Sequence, residues 1–189
     1  MTGISSTVFS EYEYRKLVFT IDKDSVEVPC VGSFEEELEV KTVVKNCRGT
    51  VAKTRTRGTG NGTITISGHI PNELYQRLFN FLGAEEGLKK GVRSYGKKSL
   101  HPEFMLTADV FDEDDNEKLK AYPRCTIQSN LSRSTENGGD EVAEIELEIA
   151  VMPDDNEQGL YEALASEVDE DVKTKWMNEF TLELVTGAE

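Results

Sequence analysis

Two histidines, His69 and His101, are the side chains best suited to proton transfer near neutral pH, and each stands alone in the sequence. A nucleophilic triad or a zinc site needs partners at a recognised spacing, and neither histidine has them. The three cysteines, Cys30, Cys47 and Cys125, are odd in number, widely spaced and form no CxxC pair. They read as reduced packing residues of a cytosolic product. Gly58-Thr59-Gly60-Asn61-Gly62 invites a phosphate-loop reading, but such glycine runs follow a strand and open a helix, and P-loops end in Gly-Lys-Ser/Thr. Here the run precedes a strand-like stretch and no lysine follows, so a flexible hairpin end is expected. Asp112-Glu113-Asp114-Asp115-Asn116 begins like a calcium loop, yet its sixth position is Glu117 and its twelfth is Pro123, where Gly and Glu are needed. A solvated acidic turn is expected instead. The 36 acidic residues offer so many carboxylate pairs that glycosidase logic has no specificity here. No catalytic residue, no metal site and no cofactor is expected, and the chain reads as a non-enzyme.

Charge is distributed more informatively than chemistry. Residues 135–189 carry 17 acidic side chains against only Lys173 and Lys175, whereas residues 1–134 hold 19 of each sign. Within the balanced part, residues 41–70 carry Lys41, Lys45, Arg48, Lys53, Arg55 and Arg57. A basic arm and an acidic remainder on identical chains attract each other, which suggests self-assembly. The net charge of −15 argues against general affinity for nucleic acid or anionic membranes. Residues 1–10 lack the basic start and apolar run of a signal peptide, and no apolar stretch is long enough to span a bilayer, so no membrane insertion by this chain is expected.

The elements that position these residues are mostly strands. A chain of 189 residues is expected to form one domain, 1–189, burying roughly 70% of its unfolded surface. Period-two alternation marks strands at 14–21 and 26–31, turning at Asp22-Lys23-Asp24-Ser25, then at 36–47, 63–70, 104–111, 118–127, 141–151 and 180–185. A helix is expected from Pro71-Asn72, capped by Asn72, striped by Leu74, Leu78, Phe81 and Leu82, and stopped at Gly83. Residues 156–168 suggest a second helix, extended or followed by another at 171–177. The fold class expected is mainly β (α+β): an antiparallel sandwich or barrel flanked by a helix. Ile64, Ile66, Leu74, Leu78, Ile145, Leu147 and Ile149 should be core. Opposite them, Glu144, Glu146 and Glu148 form a row of carboxylates about 7 Å apart, either an ordinary solvent face or the lining of a path for a polyanion. Residues 48–62 are polar on both faces, so they are either mobile or ordered by a partner, with another copy the obvious one.

Two stretches carry a family resemblance. One is TRTRGTGNGTITISGHIPNELYQRLF within residues 53–81. The other spans residues 109–154, including DVFDEDDNEKLKAYPRCTIQSNL and ENGGDEVAEIELEIAVMPD. With the strand order, these resemble the major tail tube proteins of long-tailed bacteriophages. The resemblance implies a subunit without an added immunoglobulin-like domain and a hairpin arm at 46–62 that reaches a neighbour, with Arg48, Lys53, Arg55 and Arg57 as its inter-subunit residues. It implies stacked homo-hexameric rings forming a conduit in the virion tail, assembled in the host cytoplasm. Other tail proteins would sit at the tube ends, and viral DNA would pass through without specific binding. Glu144, Glu146 and Glu148 are the candidates for the lumen. The competing reading is a non-catalytic β-sandwich binding module for surface or carbohydrate recognition, which would want clustered exposed aromatics; Trp176 is the one tryptophan.

Overall fold

The computed structural model describes residues 8–187 apart from Gly49 and Gly139. Expectations that fall on residues 1–7, Gly49, Gly139 or the last two residues lie outside the described residues. Eight strands form one antiparallel sheet, and the mainly β class holds. The strands are β1 (Glu13–Ile21), β2 (Asp24–Val28), β3 (Val31–Cys47), β4 (Thr50–Gly68), β5 (Glu103–Phe111), β6 (Glu117–Ile127), β7 (Ile145–Met152) and β8 (Tyr161–Leu164). Their order is β2-β1-β5-β6-β7-β4-β3, with β8 added on β6. Among the described residues three short α-helices, α1 (Asn72–Leu78), α2 (Glu170–Trp176) and α3 (Leu182–Val185), and a 3-10 turn at Ala84–Glu86 accompany the sheet.

The sheet curls. In ladder order β1 and β3 are five strands apart, yet Tyr14 of β1 stacks on Phe34 of β3 at 4.2 Å. Strand β6 makes the bend possible by changing partner. Residues 118–121 pair with β8, residues 124–127 pair with β7, and Pro123, which has no N–H to give, sits at the change. The concave side holds the main core: Leu17, Phe19, Ile64, Ile66, Leu106, Tyr122, Leu147 and Ile149, closed by Leu74, Tyr75 and Leu78 of α1. Of the seven core residues expected from alternation, only Ile145 is partly rather than fully buried. On the convex side, α2 and α3 cover only the β1-β5-β6 region. Val18, Leu119 and Ala121 pack there against Trp176, Met177 and Phe180. Trp176 Nε1 donates to the Lys120 carbonyl at 3.1 Å, and Thr107 Oγ1 donates to the Met177 carbonyl at 2.8 Å. Among the described residues, none packs over the convex face of β7-β4-β3 in this way.

Several local expectations change. The first hairpin turns on Asp22 and Lys23, both at positive φ (49° and 75°), a two-residue turn whose twist matches the strands. Helix α1 stops at Leu78, well before Gly83. Asn80 takes φ 48°, Phe81 N–H reaches the Gln76 carbonyl and Asn80 N–H the Arg77 carbonyl, a Schellman closure built on Asn. Pro71 is the N-cap, and Asn72 lies inside the helix without capping it. Residues 156–168 contain no helix. Asp154 accepts from Asn156 N–H, Gln158 N–H and Tyr161 Oη, which ties a turn leading into β8. Residues 180–185 contain α3 in place of a strand, with Thr181 Oγ1 accepting from Leu184 N–H. Residues 141–144 precede β7 and are not in the ladder.

Candidate assembly interface

The arm is a hairpin made of the distal parts of β3 and β4. It includes 46–62 but also the partner strand that the sequence assigned to the body. Arg48 stands at its tip with φ 51°. Alternating β-branched residues keep the chain extended, although nothing buries them: Val40, Val43, Val44 and Val51 are all exposed. The register sorts the arm into two faces. Lys41 stands opposite Arg57, Val43 opposite Arg55, and Lys45 opposite Lys53, so one face holds five cations and a valine. The other face pairs Val40 with Gly58, Thr42 with Thr56 and Val44 with Thr54, and the two threonine hydroxyls meet at 2.9 Å. Like charges placed directly across a ladder are destabilising. Among the described residues none of these five cations, nor Arg48, forms a salt bridge, although eleven ion pairs occur elsewhere.

The glycine run lies at the arm's root and is not a hairpin end. Residues 59–61 bulge opposite Glu39, and Gly60 has φ 78°. A Cβ on Gly60 would lie 2.8 Å from Pro153 Cβ and 3.1 Å from the Glu157 carbonyl, so the turn before β8 grips the root. The root also borders a cleft of about 760 Å³ between Leu38, Arg57 and Gly159.

A separate acidic surface is the convex face of β7-β4-β3. Glu146 and Glu148 point away from the core, opposite Ser67 and Thr65 of β4. Ser67 and Thr65 in turn stand opposite Ser33 and Glu35 of β3, and Thr63 stands opposite Glu37. A hydroxyl row on β4 thus runs between carboxylates on β7 and β3, about 10 Å apart. Glu148 accepts from Gln128 Nε2 at 2.8 Å. Glu144 belongs less well to this row. It precedes the strand, accepts from Ser67 Oγ at 2.7 Å and closes over Gly32. Sequence reasoning missed Glu35, Glu37 and Glu39, whose alternation was visible but whose neighbours were not. Along this side of β3 the residues read Ser33, Glu35, Glu37, Glu39, Lys41, Val43, Lys45. One continuous side therefore passes from acid on the body to base on the arm. Among the described residues, the far edge of β3 pairs with no strand.

Beneath this surface a buried network fixes where β3 leaves the sheet. Lys120, with a side chain 0% exposed, bonds Glu36 of β3 and Glu11 of the N-terminal segment, each at 2.8 Å. Tyr122 Oη donates to Glu36. Burial, then the nearby carboxylates, pushes the Tyr122 and Tyr14 hydroxyls far above the ordinary tyrosine range, so both stay protonated donors.

The remaining sequence candidates are occupied by structure. His101 Nδ1 is 3.0 Å from the Ile127 carbonyl and must donate to it, which leaves Nε2 to accept from Tyr95 Oη at 3.1 Å. His69 is exposed and bonds Cys30 only through its backbone. Cys125 is buried, its thiol pushed upward by burial. Cys30 and Cys47 are exposed, so the packing role expected of them fails. Asp112 accepts from Asp114 N–H, Asn116 N–H and Asn116 Nδ2, so the acidic turn is self-tied, and its first carboxylate is buried rather than solvated.

No protein-family model and no curated protein sequence matches the chain. Among solved structures it is similar to a chain of the anti-feeding prophage cap, the tube-terminating cap, with TM-score 0.46 and 12% identity over 87% of this chain and 100% of that one. It is also similar to a chain of the anti-feeding prophage baseplate, with TM-score 0.42 and 10% identity over 83% of this chain and 97% of that one. Likenesses this distant carry no argument about what the chain does.

Proposed function

We propose that this chain is a non-catalytic structural subunit that assembles with its own copies into stacked hexameric rings, forming the tube of a phage-type tail through which DNA passes. The observation that carries the reading is the arm: a long two-stranded hairpin with five cations on one face and no ion-pair partner among the described residues, on a chain whose net charge is −15. An isolated two-stranded ribbon is marginally stable in water. Set against the carboxylates of a neighbour, its opposed cations gain counter-charges. The free edge of β3 can add to a neighbouring sheet, which removes an aggregation-prone edge and favours a closed ring. The resemblance of residues 53–81 and 109–154 to tail tube proteins points to the same assembly.

Sedimentation and negative-stain microscopy of the purified chain test it. Rings or tubes near six-fold symmetry are expected, and a monodisperse small particle at every concentration overturns the reading. Changing Lys53, Arg55 and Arg57 to Glu should leave the subunit folded and abolish assembly. Each rim contact contributes only about 0–1 kcal/mol, but the set repeats at every interface.

A further inference from the structure

The connection from α1 to β5 is a second basic surface, separate from the arm. Residues 83–102 are held in a defined shape. Leu82 and Ser94 exchange two backbone hydrogen bonds of 2.9 Å. Tyr95 packs on Phe81 at 5.5 Å and bonds His101. Lys98 pairs with Glu86 at 2.8 Å. The braced loop then displays Lys89, Lys90 and Lys97 to solvent with no salt bridge among the described residues, while Arg93 folds back over Gly83 beside Glu85. Between these cations stand Val92, Tyr95 and Leu100, exposed at 47%, 43% and 81%. Exposed aliphatic and aromatic groups held on a rigid loop mark a protein-binding surface, and the lysines among them supply charge that suits an acidic partner.

The opposite face of the sheet carries the complement. Between β8, α2 and α3 lies a groove of about 380 Å³ floored by Ala163, Val172 and Leu184 and rimmed by Glu167 and Asp169. The two lysines of this region are already engaged, Lys173 with Glu117 at 2.7 Å and Lys175 with Asp171 at 2.8 Å. The rim carboxylates therefore have no cation among the described residues.

We infer that the 88–100 loop of one copy docks in the β8-α2-α3 groove of the next, with Val92, Tyr95 and Leu100 on the apolar floor and Lys89 and Lys90 on the acidic rim. This rests on the self-assembly reading and adds an interface to it. Loop and groove are different surfaces: the loop continues from α1 on the concave side, and the groove lies on the convex side. The contact is thus heterologous and propagates from copy to copy, closing as a ring or extending as a filament.

Cysteine cross-linking of the full-length chain tests the contact. In a background with Cys30→Ser and Cys47→Ser, a Val92→Cys variant is mixed with a differently tagged Leu184→Cys variant under mild oxidation. The mixed disulfide should form about tenfold faster than with Val142→Cys, a more exposed control, and should slow at high salt because opposite charges steer the encounter. Adding Lys89→Glu and Lys90→Glu to the loop should remove the preference, and Glu167→Lys with Asp169→Lys on the groove should restore it. A rate no greater than the control overturns the inference. Tubes by microscopy without this cross-link sink the contact alone. The cross-link without rings or tubes sinks the tube reading and leaves the contact standing. Neither result sinks both.

Discussion

At the scale of single residues, the fold tolerates one costly carboxylate. Asp109 Oδ1 is buried and has no hydrogen-bond partner. Burial pushes its pKa up to about 6, aided by Glu117 and Glu27 and opposed by a backbone bond from Lys16 and by that residue's charge. A raised carboxylate pKa means the folded chain holds the proton more tightly than the unfolded chain. The favourable contribution is full below the ordinary value of 3.8, fades as pH rises through about 6, and is absent above it. Asp109→Asn should therefore stabilise the subunit by about 1–2 kcal/mol at about pH 8 and change little at about pH 4. Urea midpoints at the two values check this, and an equal gain at both would contradict it. Glu11 behaves in the opposite sense. Burial alone would raise it, but Lys120 and Tyr14 together hold it below the ordinary 4.5, so its contribution is present above that value and fades on acidification. Neither residue was singled out in the sequence, because burial on a sheet depends on what packs over it, and residues 156–168 and 180–185 take elements other than those expected, although the helix expected at 171–177 is present as α2.

At the scale of elements, the most consequential one is the root of the arm. Gly60 has a left-handed backbone and no room for a methyl group against Pro153 and Glu157. Gly60→Ala should cost about 1–3 kcal/mol by combining strain with a steric shift, and should tilt the hairpin relative to the sheet. The measurement is paired: chemical denaturation for the cost, and assembly by sedimentation for the tilt. Normal assembly with unchanged stability would show that the turn at Pro153 does not grip the root. How well each element could be read follows from the same physics. Strand β7 and the buried half of β4 alternate against one core, while β1, β5 and β6 pack on both faces, against the main core and against α2 and α3, and both patterns read as strand in the sequence. The arm strand of β3 also alternates, but it reads as a body strand because Val40 and Val44 suggest burial that a projecting hairpin never supplies. The 156–168 segment failed for a related reason: Asp154 ties a turn through bonds to residues two to seven positions on, a local geometry that no periodicity reports. The basic arm residues were legible as a set. Their sorting onto one face needed the register.

At the scale of the whole molecule, the convex face is divided between a helix-covered half and a bare acidic half, and the bare half determines what can pass beside it. Glu146 and Glu148 on β7, with Glu35 and Glu37 on β3, form a carboxylate field interrupted only by hydroxyls. In a ring of six copies with this face inward, a polyanion would meet repulsion from every side and find no cationic resting place, which permits movement without binding. With the face outward, the same field would only keep particles apart. Changing Glu35, Glu37, Glu146 and Glu148 to Lys separates the two placements, with the matching Gln variant as a control for assembly. Glu144 is left unchanged because it bonds Ser67 and helps close the edge over Gly32. For an inward face, tubes of the Lys variant should retain double-stranded DNA inside, releasing it as salt rises, because each neutralised phosphate frees a condensed counter-ion. Tubes of the Gln variant should retain far less. For an outward face, DNA would instead coat the exterior of Lys tubes and be digested by added nuclease, whereas DNA in the lumen is protected. Nuclease-sensitive DNA on well-formed Lys tubes would place the acidic face outside and end the lumen assignment.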